Sequence, residues 1–299
     1  MIKTLIQLAR LTNLIIRRGR FQNRRYDYQK MRMEKLAGLH QFCPIPPLTD
    51  AGTGKFKKWI FKSHYLEYFS GQAAFLKNAL KSQTGHLFVP NLNLSYLRNP
   101  KAASTSLSYT MLLALYPELK KFELSAEKIN FLTDVNLKRE IAPIEKAATF
   151  FTVIRNPFAR IVSVYRDFFE RPSSRFIYED YLFGILKKDL SFREFVDILQ
   201  IIPDALKDQH LKPQNAFLSF YRKRNIEVKF LKLEDQHRVH AFLSDFKLNL
   251  PVMNKNETYD YRSYYEPDTL EKVYKLYSQD ILLFEYSEDY HDLKKFVSR

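Results

Sequence analysis

Two apolar segments of the sequence each lead straight into a short polar loop and then into a helical pattern. The first ends at Leu97 and alternates apolar with polar residues; the second, residues 147–154, is a run of β-branched and aromatic residues. Both patterns predict β-strands. The apolar spacing of residues 104–116 and 158–170 predicts the helices that follow. Repeated units of strand, loop and helix predict an α/β fold of three layers, in which helices flank a central, mainly parallel sheet.

The rest of the chain divides into a short basic part and one long domain. Residues 41–56 hold three prolines and two glycines, which is typical of an extended connector. We therefore predict a basic N-terminal helix with its connector over residues 1–62 and a single domain over residues 63–299. Apolar spacing predicts further helices at 57–80, 191–202, 209–224 and 269–280, and a short strand at 228–233.

Most of the positive charge lies in the N-terminal part. The chain has a formal charge of +15, but residues 1–62 contain 14 Lys and Arg against 3 Asp and Glu, and residues 63–299 contain 34 against 30. An amphipathic helical pattern begins near the N-terminus, with Ile2, Leu5, Ile6, Ala9 and Ile16 on one face. Two interpretations fit this segment: a helix on an anionic membrane, with residues 1–25 as the contact, or a basic helix packed against the domain. A transit peptide is a less favoured third.

Composition and hydropathy exclude several classes of protein. A single cysteine, Cys43, excludes a disulfide framework and a cysteine-rich metal site, and it fits a reducing compartment. No apolar run approaches the roughly 20 residues that span a membrane. Because 45% of the residues are hydrophobic, the chain can bury a large core, and this excludes a disordered chain.

The first junction, residues 97–106, has the composition of an anion-binding loop. A helix N-terminus presents unpaired N–H groups and a partial positive charge, and small side chains let an anion approach them. Lys101 adds a full positive charge. An ordinary helix with Ser104 or Thr105 as its N-cap residue fits the same pattern. The candidate binding residues are Pro100, Lys101, Ala102, Ala103, Ser104, Thr105 and Ser106.

The second junction, residues 153–163, combines an arginine with a hydroxyl. Arg155 follows the strand, Pro157 can begin a helix, and Ser163 lies about two helical turns after Arg155. An arginine fork and a hydroxyl at this spacing can converge on one phosphate. The alternative is an arginine that pairs with a surface carboxylate and a serine that is an ordinary helix residue.

Together, the two junctions resemble the family of carbohydrate sulfotransferases that use 3′-phosphoadenosine 5′-phosphosulfate (PAPS). The first reads PKxAxTS between strand and helix, and the second reads RNPxxRxxSxYR. Later segments are also similar and follow in the order of the family: residues 208–214 (DQHLKPQ), 233–235 (LED) and 264–286. The resemblance covers roughly residues 85–286.

The resemblance implies a P-loop-like form of the three-layer α/β fold and a role for each junction. The first would bind the 5′-phosphosulfate, with Lys101 on the leaving oxygen, and the second would bind the 3′-phosphate through Arg155 and Ser163. The implied reaction is in-line transfer of a sulfuryl group from PAPS to a hydroxyl of a glycan, either a polysaccharide or a lipid-linked glycan, and it requires no metal. Nucleic acid is not an expected partner.

The sequence leaves the general base open. His210 lies in a segment that resembles the family and is the main candidate, but a histidine that only hydrogen-bonds the scaffold or a phosphate fits as well. Glu140 and Glu145 are the fallback candidates. Arg262 is a candidate clamp over the donor, and a solvent-facing partner of carboxylates is the alternative.

The chain departs from the Golgi members of the family, which have an N-terminal membrane anchor and often cysteine pairs. We therefore expect a soluble, bacterial-type relative that is cytoplasmic or at the inner face of the membrane. Leu211 stands where many relatives have an aromatic residue, so we expect a different acceptor pocket.

Two other functions remain as alternatives. A phosphotransferase could use ATP or GTP at the first loop, but the loop lacks the glycines of GxxxxGK[ST]. A basic protein without catalysis could bind nucleic acid or a membrane, but the basic excess is terminal, and interleaved aromatic residues are usually core residues.

Overall fold

The structure, a computed structural model, contains one sheet whose four described strands lie side by side in their order along the chain. The structure describes residues 6–13, 85–170, 185–186, 190–251 and 259–299. The predicted connector at 41–56, the predicted helix at 57–80 and the predicted domain boundary after residue 62 lie outside the described residues.

The first predicted strand is two antiparallel strands. β1 (His86–Val89) and β2 (Leu94–Leu97) are joined by a 3₁₀ turn that begins at Pro90, and the residues of both strands are buried. Proline has no N–H group for a strand ladder, so the chain turns there. Asn93 completes the turn with φ of 47°, in the left-handed region that asparagine tolerates.

The other strands are parallel. β3 (Thr149–Ile154) lies between β2 and β4 (Val228–Lys232), with Tyr96 opposite Phe151 and Ile154 opposite Lys232. Because β2 and β3 run in the same direction, the loops that follow them leave the sheet at the same edge. The predicted mainly parallel sheet is confirmed.

Helices cover both faces of the sheet. The helices of the described residues are α1 (residues 6–13), α2 (Ser104–Leu115), α3 (Ala126–Asn136), α4 (Pro157–Tyr165), α5 (Phe192–Ile201), α6 (Asn215–Arg222), α7 (Gln236–Asp245), α8 (Pro267–Leu283) and α9 (Ser287–Val297). On one face, α4, α5, α6, α8 and α9 pack on a core that includes Phe150 and Ile154. On the other face, α2 and α7 pack on Phe151 and Val153. The predicted three-layer fold is therefore confirmed.

Helix α1 packs against the domain. Leu11 is buried in the core cluster beneath α5, and the Gln7 side chain donates a hydrogen bond of 3.0 Å to the carbonyl oxygen of Gln200. Residues 6–13 thus follow the interpretation of a basic helix that packs against the domain. Within the described residues, none of the helices combines the length and the apolar character needed to cross a bilayer.

Candidate active site

The loop after β2 takes a backbone conformation that usually requires glycine. Lys101 and Ala103 have φ of 68° and 53°, in the left-handed region, where a residue with a side chain costs roughly 1–2 kcal/mol. Residues in this region turn successive N–H groups toward one side and form a concave anion-binding nest. A loop without glycine therefore reaches the kind of geometry that glycine-rich phosphate loops use.

Helix α2 begins directly after this nest without a side-chain cap. Its N-cap residue is Ala103, whose methyl side chain cannot accept a hydrogen bond from the N–H groups of the first turn. The alternative with Ser104 or Thr105 as the N-cap residue is therefore wrong. Ser104, Thr105 and Ser106 lie in the first turn and are half-buried, so an anion can approach this end of the helix.

The loop after β3 lies against the first loop. The Arg155 guanidinium donates to the carbonyl oxygen of Lys101 at 3.3 Å and to the Tyr259 hydroxyl at 3.5 Å. Arg155 thus joins the two junctions, and it pairs with no carboxylate in the part of the chain that the structure describes. Ser163, eight residues later on α4, is half-buried.

Asn156 fixes the start of α4. Its side-chain oxygen accepts from the N–H groups of Phe158 and Ala159, and its amide donates to Asp289 at 2.8 Å. Its own backbone N–H donates to Glu234 at 2.8 Å. Glu234 and Asp289 thus hold the residue from which α4 starts.

Gln214 ties the two loops together. Its side-chain oxygen accepts from the Asn99 amide at 2.8 Å and from the Arg155 N–H at 3.0 Å, and its own amide donates to the Arg155 carbonyl oxygen at 2.7 Å. Asn99 also donates to the Val153 carbonyl oxygen at the end of β3. One side chain thus sets the distance between the two candidate anion sites.

Arg160 joins the first loop to the segment that contains His210. Its side chain is buried, with 2% exposed, and donates to the carbonyl oxygens of Pro100 at 3.1 Å, Lys212 at 3.0 Å and Gln209 at 3.2 Å. An arginine fork can satisfy three acceptors at fixed angles, whereas lysine has a single nitrogen.

Helix α8 holds the same segment from the other side. The Tyr277 hydroxyl donates to the Leu211 carbonyl oxygen at 2.9 Å, and Asp280 accepts from the N–H groups of Gln214 at 2.6 Å and Asn215 at 2.8 Å. These contacts hold the segment before Asn215 in place, and α6 therefore begins later than the predicted residue 209. Burial raises the pKa of Asp280 to about 6, although the two N–H donors favour its charged form.

His210 is oriented by a carboxylate. Its Nδ1 lies 2.5 Å from Asp208, whose oxygen also accepts from the His210 backbone N–H at 2.8 Å. Burial alone would raise the pKa of Asp208, but the histidine and two backbone N–H groups hold that pKa below its usual value. An ionised carboxylate only accepts hydrogen bonds, so Nδ1 is its donor and Nε2 faces away from it.

Lys101 itself is held by Asp167. The two side chains form an ion pair, with 17% and 21% of each exposed. Asp167 lies in the single π-helical turn Arg166–Glu170 that follows α4. Such turns interrupt α-helices and are frequent at functional sites.

Tyr259, and not Arg262, reaches the site from the C-terminal part. The Arg166 guanidinium lies 3.8 Å from the centroid of the Tyr259 ring, whose hydroxyl meets Arg155. Arg262 instead pairs with Asp260 at 2.7 Å, and its guanidinium lies over the ring of Phe296. The structure thus gives Arg262 the alternative role of a surface partner of a carboxylate. In the sequence, only the tyrosine-rich composition of residues 259–265 (YDYRSYY) pointed to Tyr259.

Glu145 is wrong as a fallback base. Its side chain is completely buried and is engaged by Lys138 and by the Nε2 atom of His86, the latter at 2.9 Å, so an acceptor cannot reach it. Burial alone would raise the pKa of Glu145, but these two partners hold that pKa below its usual value. Glu140, the other fallback candidate for the base, is exposed.

Leu211 stands where many relatives have an aromatic residue. Its side chain is completely buried in the core.

One comparison with known proteins decides the family. The sequence matches the family model described as “Sulfotransferase family” over residues 85–287, about two thirds of the chain. The chain belongs to the sulfotransferase family. The match begins one residue before β1 and covers both junctions and the His210 segment. No curated protein and no solved structure gives a significant match.

The described residues of this sulfotransferase contain no group of three or more His, Cys, Asp and Glu side chains that could hold a metal ion. At the site, Lys101 pairs with Asp167 and Arg166 pairs with Glu170, while Arg155 donates to the carbonyl oxygen of Lys101.

We predict that Arg160→Lys destabilises this sulfotransferase. Lysine cannot satisfy the three carbonyl oxygens, and each buried acceptor left unpaired costs about 1–3 kcal/mol. We expect the free energy of unfolding in urea to fall by about 3 kcal/mol or more. The control is Arg193→Lys, at an exposed arginine that pairs with Glu266 and Asp268, where the change should stay within about 0.5 kcal/mol. Equal effects of the two substitutions would contradict the role of Arg160.

Asp280 predicts a pH dependence of stability. The native carboxyl keeps its proton up to about pH 6, whereas that of the unfolded chain loses it near pH 4. The native state therefore binds more protons in this window, and this group makes the free energy of unfolding fall as pH rises from about 4 to about 6.

Asp280→Asn removes this slope because asparagine does not ionise. The measurement is urea unfolding of both proteins across this pH window. We expect the difference between wild type and variant to change with pH, while the lost hydrogen bond lowers stability equally at every pH. A constant difference would rule out the titration of Asp280.

Proposed function

We propose that the protein is a PAPS-dependent sulfotransferase that transfers the sulfuryl group to a hydroxyl of a carbohydrate. The observation that carries this proposal is the contact between the two junctions. Arg155 and Gln214 hold the loop with Lys101 and the loop that begins α4 side by side at one edge of the sheet. A donor with a phosphosulfate at one end and a 3′-phosphate at the other requires two anion sites at a fixed separation.

The first site would hold the 5′-phosphosulfate. Its support is the left-handed backbone at Lys101 and Ala103, the uncapped start of α2, and the charge of Lys101. The second site would hold the 3′-phosphate through Arg155 and Ser163. Arg155 already lies across the loop, and the 3′-phosphate would have to draw its guanidinium from two neutral oxygen acceptors.

The chemistry needs a cation on the leaving oxygen and a base on the acceptor. We assign the cation to Lys101, which would stabilise the negative charge that develops on the bisphosphate as the bond from sulfur to the bridging oxygen breaks. We assign the base to His210, whose Nε2 would take the proton of the hydroxyl while Nδ1 remains hydrogen-bonded to Asp208. Arg160 supports this pair because it joins the main chain on both sides.

The acceptor rests on the resemblance to carbohydrate sulfotransferases, and the location rests on the single cysteine, which fits a reducing compartment. We propose a polysaccharide or a lipid-linked glycan as the acceptor, no nucleic acid partner, and a cytoplasmic location. Residues 1–25 remain our candidate for a peripheral contact with an anionic membrane, because they contain seven Lys and Arg and no Asp or Glu. Although Leu11 packs on the domain, Arg10 on the same helix is exposed.

Adenosine 3′,5′-bisphosphate tests the donor. We expect it to raise the melting temperature of the full chain, because it carries both phosphates and binds only the native state. Adenosine 5′-monophosphate lacks the 3′-phosphate and serves as the matched control with a smaller shift. Stabilisation by magnesium ATP without any response to the bisphosphate would support a phosphotransferase instead.

Sulfate transfer from PAPS, followed by mass spectrometry over a panel of glycans, tests the reaction and its two assigned residues. We expect Lys101→Ala to reduce turnover at least about a hundredfold, the loss seen when one transition-state donor is removed. We expect His210→Gln to cause a similar loss. Lys120→Ala and His237→Gln, at exposed positions, are the controls. Full activity of either site variant would refute its assignment.

A further inference from the structure

The amine of Lys101 is occupied by a carboxylate of the protein itself. Asp167 pairs with it, and both side chains are largely buried, with 17% and 21% exposed. Lys101 is also the cation that the proposed function places on the donor. The same ammonium group therefore has two anionic partners, one built into the chain and one brought by the substrate.

Asp167 lies close to the groups that the proposed function places in the reaction. It lies four residues after Ser163, in the π-helical turn that follows α4. The next residue, Phe168, packs edge-on against the ring of His210, with 5.9 Å between centroids. Asp167 therefore contacts the donor loop, and its neighbour in the chain contacts the proposed base.

A carboxylate in this position opposes the binding of an anion. Its charge repels the phosphosulfate of the donor and the 5′-phosphate of the product, and burial makes this repulsion stronger than it is in water. The anion must also break or share the ion pair with Lys101. Both effects lower the affinity of the site for the donor and for the bisphosphate product, and both speed the release of the product.

We propose that Asp167 is a built-in competitor of the donor for Lys101 and thereby sets the affinity of the site for PAPS and for the bisphosphate. This inference rests on the proposed function. It assigns Asp167 a role in the release of the product after transfer.

Calorimetric titration with adenosine 3′,5′-bisphosphate measures this competition. We expect Asp167→Asn, which has the same shape and no charge, to bind the bisphosphate about tenfold more tightly than the wild type. A merely structural ion pair predicts the opposite, because its loss would disorder Lys101 and weaken binding. Unchanged or weaker binding by a folded variant would overturn the proposal.

Asp134→Asn is the matched control. Asp134 pairs with Arg98 at 2.5 Å, so this substitution removes a carboxylate from a cation three residues before Lys101. We expect its dissociation constant to stay within about twofold of the wild type. Equal tightening in both variants would show a general charge effect and would overturn the specific role of Asp167.

A double-mutant cycle with Lys101→Met separates competition at the lysine from other causes. If Asp167 acts mainly through Lys101, the tightening caused by Asp167→Asn is much smaller in the Lys101→Met background, where only the direct repulsion remains. Tightening of the same size in both backgrounds would overturn the proposal. Thermal melting of each variant reports folding, and Asp167→Ser replaces Asp167→Asn if the latter does not fold.

The two proposals fail in different ways. A wild type that does not bind the bisphosphate refutes the donor assignment, and this inference with it. A wild type that binds, together with an Asp167→Asn variant that binds no better, refutes only the competition and leaves the donor assignment intact.

Discussion

A buried arginine holds the site together. The guanidinium of Arg160 joins the carbonyl oxygen of Pro100, beside the anion-binding nest, to those of Gln209 and Lys212, on both sides of His210. Burying a charge is costly, and three carbonyl acceptors offset part of that cost. The relative position of the proposed leaving-group cation and the proposed base therefore depends on one buried side chain.

The hydrophobic core and the site depend on each other through the segment before α6. Tyr277 and Asp280 on α8 hold this segment by its main chain, and Gln214 at its end holds both loops. A shift of α8 in the core would therefore move the separation of the two anion sites. This arrangement explains why a helix far along the chain belongs to the region that matches the family.

Local sequence patterns predicted the fold well and the site in part. Periodicity predicted β3, although two residues too long at its start, and it predicted helices α2, α4, α5 and α8 and the shared edge of the two junctions. It could do so because residues close in the sequence determine the conformation of such elements. Apolar spacing could not distinguish one strand from the pair β1 and β2, in which Pro90 imposes the turn. Glu145 was a poor candidate for the base because His86 and Lys138 engage its carboxylate. Arg262 was a poor candidate for the clamp because Asp260 holds its guanidinium.

The sequence by itself determined the family and the cations of the two loops. Lys101 and Arg155 are found because each follows a strand within its own motif, where local order carries the information. Only the tertiary structure decided which groups these cations meet. Asp167 is 66 residues from Lys101, and Tyr259 is 104 residues from Arg155. Periodicity describes neighbours along the chain, whereas such pairs form only when the sheet edge and the packed helices bring distant segments together.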